Sequence, residues 1–309
     1  MSYFMAILPK MAGFFLLVVI GAVAVRCRVI RKEAMSSISG FLLKIVLPAL
    51  TISLIWENKT TFVTMAQYGR IVCAQILMYF LMAGAGIAGS KICRLKGVTG
   101  NVYRGCSVGG NYGFLVIPLI MTLFAEQGGA AYIPICSVVD TTLVWTLGFS
   151  LFTGGIEKKE NPWKKILLNP IFLSILIGLC LTSFAVPMPD AVMDIVDSVG
   201  STSYSWGLIY LGCSLGFMDF RNLLKYKSIL MLAAVKLLCL PLVAYGIAMQ
   251  FLPQTESMIL MLICAAPSMT TSSMIAGQYH LDEEYASAAV VTTTLLCMVL
   301  IPILFLVIS

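Results

Sequence analysis

Two apolar stretches of this 309-residue chain hold the residues best suited to chemistry. The first, "GGNYGFLVIPLI" (109–120), puts Asn111, Tyr112 and Gly113 behind two glycines and adds Pro118. The second, "CAAPSMTTSSMIAG" (264–277), follows Pro267 with Ser268, Thr270, Thr271 and Ser272. Amides, hydroxyls and backbone N–H groups freed by a helix break can hold an anion such as a carboxylate. Three charges also stand in apolar runs: Asp140, Lys236 and Lys44. An acid there can bind Na⁺, exchange a proton or balance a lysine. The parts of the common hydrolytic and metal sites are missing. His280 is the single histidine, the ten cysteines form no CxxC pair, and neither HExxH nor GxSxG occurs. The chain therefore reads as a non-enzyme with no cofactor and no metal site.

The elements that must position these residues are membrane spans. Sixty per cent of the residues are hydrophobic and 11% charged, against roughly half and a quarter in soluble domains. A span needs about 20 apolar residues. Ten are expected, at about 5–25, 37–56, 66–90, 101–124, 129–153, 166–186, 198–218, 228–250, 257–279 and 284–308, giving an all-α integral membrane protein. The first lacks a basic leader and a clear cleavage site and reads as a retained helix. Most Lys and Arg fall in alternate loops: Arg26 to Lys32, Lys91 to Arg104, Lys158 to Lys165, and Arg221 to Lys227. The positive-inside rule makes those loops cytoplasmic and both termini extracytoplasmic, in the cell membrane. The acidic "HLDEEY" (280–285) is the one loop against the pattern. The net charge of +6 is explained by these loops rather than by a nucleic-acid surface.

"SVVDTTL" (137–143) and "AVVTTTL" (289–295) agree at five of seven positions, each in the last span of a five-span half. An odd number of spans makes the halves, 1–155 and 156–309, opposite in orientation: an inverted repeat. A break in span four then demands one in span nine, and Pro267 supplies it. One such proline alone reads as a tolerated kink whose neighbouring hydroxyls turn to i−4 carbonyls. Two at matching places point to unwound, crossing helices four and nine around a midplane site.

Asp140 lies near the middle of span five, roughly 15 Å from either end, and Lys236 about 13 Å into span eight. Coupling and structural roles stand open for Asp140, and it is a candidate partner for Lys236. Lys44 is shallower and within reach of the interface. His280 reads as a surface residue, and Gly84, Gly86 and Gly89 as close helix packing.

The sequence resembles the auxin efflux carrier family, which includes plant PIN-type exporters and bacterial malate and malonate permeases. "GNYGFLVIPLI" is similar to its span-four pattern and "AAPSMTTSSMIAGQYHLDEEYASAAVVTTTLL" (265–296) to its C-terminal signature. "GFLLKIVLPALTISLI" (40–55) and "NPIFLSILIG" (169–178) resemble its second and sixth spans. The resemblance implies ten spans in two inverted repeats. Spans four and nine would cross at the substrate site, and a transport domain would move elevator-fashion against a scaffold. It also implies that Asn111 and the backbone after Pro267 line the site, and it makes a homodimer an expected assembly. The long cytoplasmic loop of the long plant exporters is absent, which favours small carboxylates over auxin. The expected function is a secondary transporter of a small mono- or dicarboxylate, with coupling to H⁺ or Na⁺ open. A membrane-embedded sensor and an uncoupled channel are the competing readings.

Overall fold

The computed structural model describes residues 2–154, 167–217 and 226–308, and these are all-helical. Helix α1 is Ser2–Arg26, α2 Ala34–Glu57, α3 the short Phe62–Gln67 and α4 Gly69–Ile92. Then come α5 (Gly97–Val108), α6 (Tyr112–Leu123) and α7 (Gly129–Thr153). The second part holds α8 (Pro170–Ser183), α9 (Asp190–Ser201), α10 (Ser203–Gly216) and α11 (Lys227–Ala248). It closes with α12 (Gln254–Cys264), α13 (Ser272–Gln278) and α14 (Glu283–Ile308). Five of these, α2, α4, α7, α11 and α14, are long and apolar enough to cross a membrane, and four shorter apolar helices accompany them. The chain is thus a multi-pass membrane protein. The expected boundary between halves, at 155/156, and the basic residues Lys158 to Lys165, Arg221 and Lys225 lie outside the described residues.

Three prolines inside membrane helices follow a local change of pitch. Wide π turns at Leu42–Val46, Tyr112–Val116 and Val235–Cys239 immediately precede Pro48, Pro118 and Pro241. A proline lacks an N–H and its ring strikes the i−4 carbonyl. Widening the turn moves that carbonyl away while the helix continues. Pro118 was expected to lie within the break of span four. Instead α6 runs through it, and the break ends before Tyr112.

Three helix pairs have a glycine at a close contact. Helix α1 packs along α10, and α2 along α8 and α9. A Cβ on Gly212 would fall on the Val18 carbonyl, and one on Gly21 on the Ile209 carbonyl. Gly200 of α9 lies against the Leu50 backbone, and Gly178 of α8 against the Ile55 side chain. Small residues let helices approach where lipid offers no hydrophobic drive for association. In α4, Gly86 and Gly89 meet Ser107 and Tyr103 of α5 as expected, but Gly84 is exposed with no neighbour within 4 Å.

Residues 190–197, expected as loop, are the first two turns of α9. Its Asp197 accepts a hydrogen bond from the Ser53 hydroxyl at 2.6 Å. The acidic "HLDEEY" loop also has a local cause. Asp282 accepts from the Tyr285 N–H at 3.0 Å and so caps α14, whose first turn carries Glu283 and Glu284. Negative charge is favoured at a helix N-terminus whatever the side of the membrane. His280 is exposed, at the left-handed residue (φ 52°) that ends α13.

Candidate functional site

Helix α5 stops at Val108 and α6 restarts at Tyr112; α12 stops at Cys264 and α13 restarts at Ser272. The two linking segments meet each other. Gly110 and Ser268 form an isolated antiparallel bridge. The Asn111 N–H donates to the Pro267 carbonyl at 2.9 Å, and the Met269 N–H to the Gly109 carbonyl at 3.2 Å. Unwound backbone inside a membrane must find partners in protein or water, and here each segment supplies the other's.

The crossing is tied to two further helices. From α14, the Thr293 hydroxyl accepts the Ser268 N–H at 3.0 Å and donates to the Ala289 carbonyl at 2.7 Å. The Ser268 hydroxyl donates to the Cys106 carbonyl at 3.0 Å. From α11, the fully buried Lys236 sends its ammonium to three carbonyls: Cys106 at 2.9 Å, Ser107 at 3.1 Å and Gly109 at 2.9 Å. These carbonyls lie at the C-terminal end of α5 and just past it, where acceptors lack intrahelical donors and the helix dipole is negative.

At the restarts the geometry is of the other sign. The Asn111 carboxamide oxygen accepts the Phe114 N–H at 3.4 Å, capping α6, while its Nδ2 is buried and has no partner among the described residues. Ser272, the first residue of α13, likewise has a buried hydroxyl with no hydrogen-bond partner among the described residues, although the Cys106 thiol interacts with it. Thr292 and Thr294, either side of Thr293, also carry buried hydroxyl oxygens with no partner. A buried polar atom left unpaired costs about 1–3 kcal/mol. Asn111 Nδ2 and Ser272 Oγ thus stand one at each restart, Asn111 as the cap of α6 and Ser272 as the first residue of α13.

The remaining sequence candidates are placed as follows. Tyr112 is buried, and its hydroxyl donates to the Ile133 carbonyl at 3.1 Å. Gly113 faces Leu47 of α2, which a Cβ would approach to 3.2 Å. Pro118 and Pro267 are buried, and Thr270 and Thr271 half-buried. Asp140 of α7 is half-buried and accepts a hydrogen bond from the Tyr79 hydroxyl of α4. Lys236 and Asp140 form no ion pair with each other, each being held by other partners. Lys44 is exposed on α2 and takes no part in the crossing. Among the described residues no cluster of His, Cys, Asp or Glu could hold a metal. A groove of about 430 Å³ lies elsewhere, between α4 and α11, lined by residues such as Leu77, Met78, Ala244 and Leu252.

Sequence reasoning missed Thr293, Tyr79 and Ser272's unpaired hydroxyl as members of this constellation. The signal for Thr293 was present in "AVVTTTL", where it follows Thr292, the counterpart of Asp140. Nothing in the sequence singles out Tyr79 from twelve tyrosines.

A family model described as membrane transport protein matches residues 6–305, nearly the whole chain. The chain belongs to the auxin efflux carrier family. As a member of this family of transporters it is not an enzyme. No individually curated protein matches it. In this auxin efflux carrier family member the two linkers cross at the Gly110–Ser268 bridge.

Proposed function

We propose that the protein is a secondary transporter of a small organic anion, a mono- or dicarboxylate, working by alternating access at the crossing of its two broken spans. The observation that carries the reading is the pair of unpartnered polar atoms, Asn111 Nδ2 and Ser272 Oγ, one at each helix restart. Both can donate a hydrogen bond, and both stand where helix N-termini favour negative charge. A carboxylate oxygen satisfies each. Asn111, Tyr112, Gly113, Pro118, Pro267, Ser268, Thr270 and Thr271 form the site and its frame in this reading, with Ser272 added.

The packing supports two inverted five-span repeats. Exchanging first span for sixth and second for seventh turns the α1–α10 pair into the α8–α2 pair, and both pairs exist. These helices make the scaffold. The crossing, with α4, α7, α11 and α14, makes the part that moves. Phe114 on α6 meets Tyr210 on α10 with ring centroids 4.7 Å apart, which is a contact between the two parts. The crossing residues are buried, Asn111 at 4% exposure and Ser268 at 0%, so the substrate must be admitted by movement rather than through an open pore. That favours a transporter over a channel. Asp140, held by Tyr79, is the group proposed to couple transport to a cation or proton. The basic loops support a topology with both ends of the helical array outside the cytoplasm.

The test is uptake of small carboxylates and indole acids into proteoliposomes, with and without a proton or Na⁺ gradient. Saturable carboxylate uptake whose efficiency Asn111→Ala lowers by about tenfold to a hundredfold is the expected result. Binding without flux of any member of the panel would instead support a sensor, and non-saturating flux a channel.

A further inference from the structure

Lys236 is the least expected feature of the crossing. It is fully buried, its partners are three main-chain carbonyls, and it forms no ion pair among the described residues. A salt-bridging lysine touches a carboxylate; this one hydrogen-bonds three neutral oxygens at a half-helix C-terminus, and the Asp140 carboxylate acts on it only from beyond ion-pair distance. Converging carbonyls at the end of a broken half-helix are the setting in which secondary transporters hold a coupling cation. The ammonium supplies one positive charge and donors to each oxygen at 2.9–3.1 Å. Its stem comes from α11, outside both broken spans.

We infer that Lys236 is a built-in cation, standing in a carbonyl site at the end of α5 that would otherwise take Na⁺, and that the protein needs no Na⁺ there. The charge is covalently attached, so it cannot leave with substrate and cannot couple transport to a Na⁺ gradient. Its work is to hold Gly109, and through it the Met269 N–H and the bridge to Ser268, in the crossed geometry. Lys236 is accordingly a positioning residue. The second crossing strand is tied by Thr293 instead, so the cation serves one half of the repeat only.

The inference rests on the proposed site but is tested without a substrate. Lys236→Ala removes the ammonium and the three methylenes below it, a fragment that n-propylammonium matches. Purified wild type and Lys236→Ala are melted in choline, Na⁺ and n-propylammonium chloride at equal ionic strength. Wild type, whose carbonyl site the ammonium already fills, should respond to the two cations less than the variant does. Lys236→Ala should melt lower in choline and recover by about 2 °C or more in Na⁺ or n-propylammonium. Lys236→Met, which fills the space without charge, should recover in neither. A Lys236→Ala protein indifferent to both cations, or one that Na⁺ stabilises no more than it stabilises wild type, would overturn the inference. If Lys236→Ala fails to fold in choline, extraction in Na⁺ or n-propylammonium should yield monodisperse protein; failure in all three salts also overturns it. A transport panel without a hit, beside a Na⁺-stabilised Lys236→Ala, would sink the transporter reading and leave this inference standing.

Discussion

The main-chain N–H of Asn111 donates to the main-chain carbonyl of Pro267 at 2.9 Å, joining two segments 156 positions apart where both spans are unwound. The side chain of Asn111 is therefore not what holds the crossing together. Asn111→Ala keeps that bond and loses the Nδ2 donor and a long cap on Phe114. The cap is worth about 1 kcal/mol at most. The expected outcome is a folded protein, its melting temperature lowered slightly, whose carboxylate uptake efficiency falls by about tenfold to a hundredfold. Wild-type kinetics would remove Asn111 from the site.

Ser268 depends on Thr293. Thr293→Val keeps the side-chain shape but leaves the buried Ser268 N–H without an acceptor. Destabilisation of about 1–3 kcal/mol is expected, with Thr293→Ser close to wild type. Thermal melts of the two variants check this, and equal melting temperatures would show that the Ser268 N–H has another partner.

Asp140→Asn retains an oxygen able to accept from the Tyr79 hydroxyl while removing the charge. The fold should persist. Uptake that a proton gradient accelerates in wild type should become indifferent to the gradient in the variant. Gradient-driven uptake undiminished in Asp140→Asn would return this residue to a structural role.

The α1–α10 contact is set by glycine. Gly212→Val would place side-chain atoms on the Val18 carbonyl, and the helices must separate. A loss of about 1–3 kcal/mol or more is expected from overpacking. Gly84→Ala is the control: with nothing within 4 Å it should be neutral or stabilising by about 0.5–1 kcal/mol through helix propensity. The check is the melting temperature of each variant in detergent.

Much of the architecture is legible in the chain itself because membrane helices are dictated by local chemistry. A run of some 20 apolar residues has few alternatives to a helix in lipid, and so α2, α4, α7, α11 and α14 are readable one by one. The glycines around Asn111 and the hydroxyl run after Pro267 likewise announce irregular backbone locally. Amphipathic and capping detail was harder. Residues 190–197 look like a loop by their three aspartates, but α9 packs on α2, with Gly200 against the Leu50 backbone and Met193 buried.

What the sequence by itself determined is therefore the solvent, the helices, the neighbourhood of the two breaks and the intramembrane charges that needed partners. Only the tertiary structure decided which partners those are. Asp140 and Lys236 have opposite charge and comparable depth, so pairing them is the simplest reading of the chain. Folding gives Asp140 the Tyr79 hydroxyl instead, and gives Lys236 three carbonyls at the end of α5. The reason is physical. Unwinding a helix in a low-dielectric interior creates strong acceptors and donors at new places, and a sequence lists side chains but not those backbone groups.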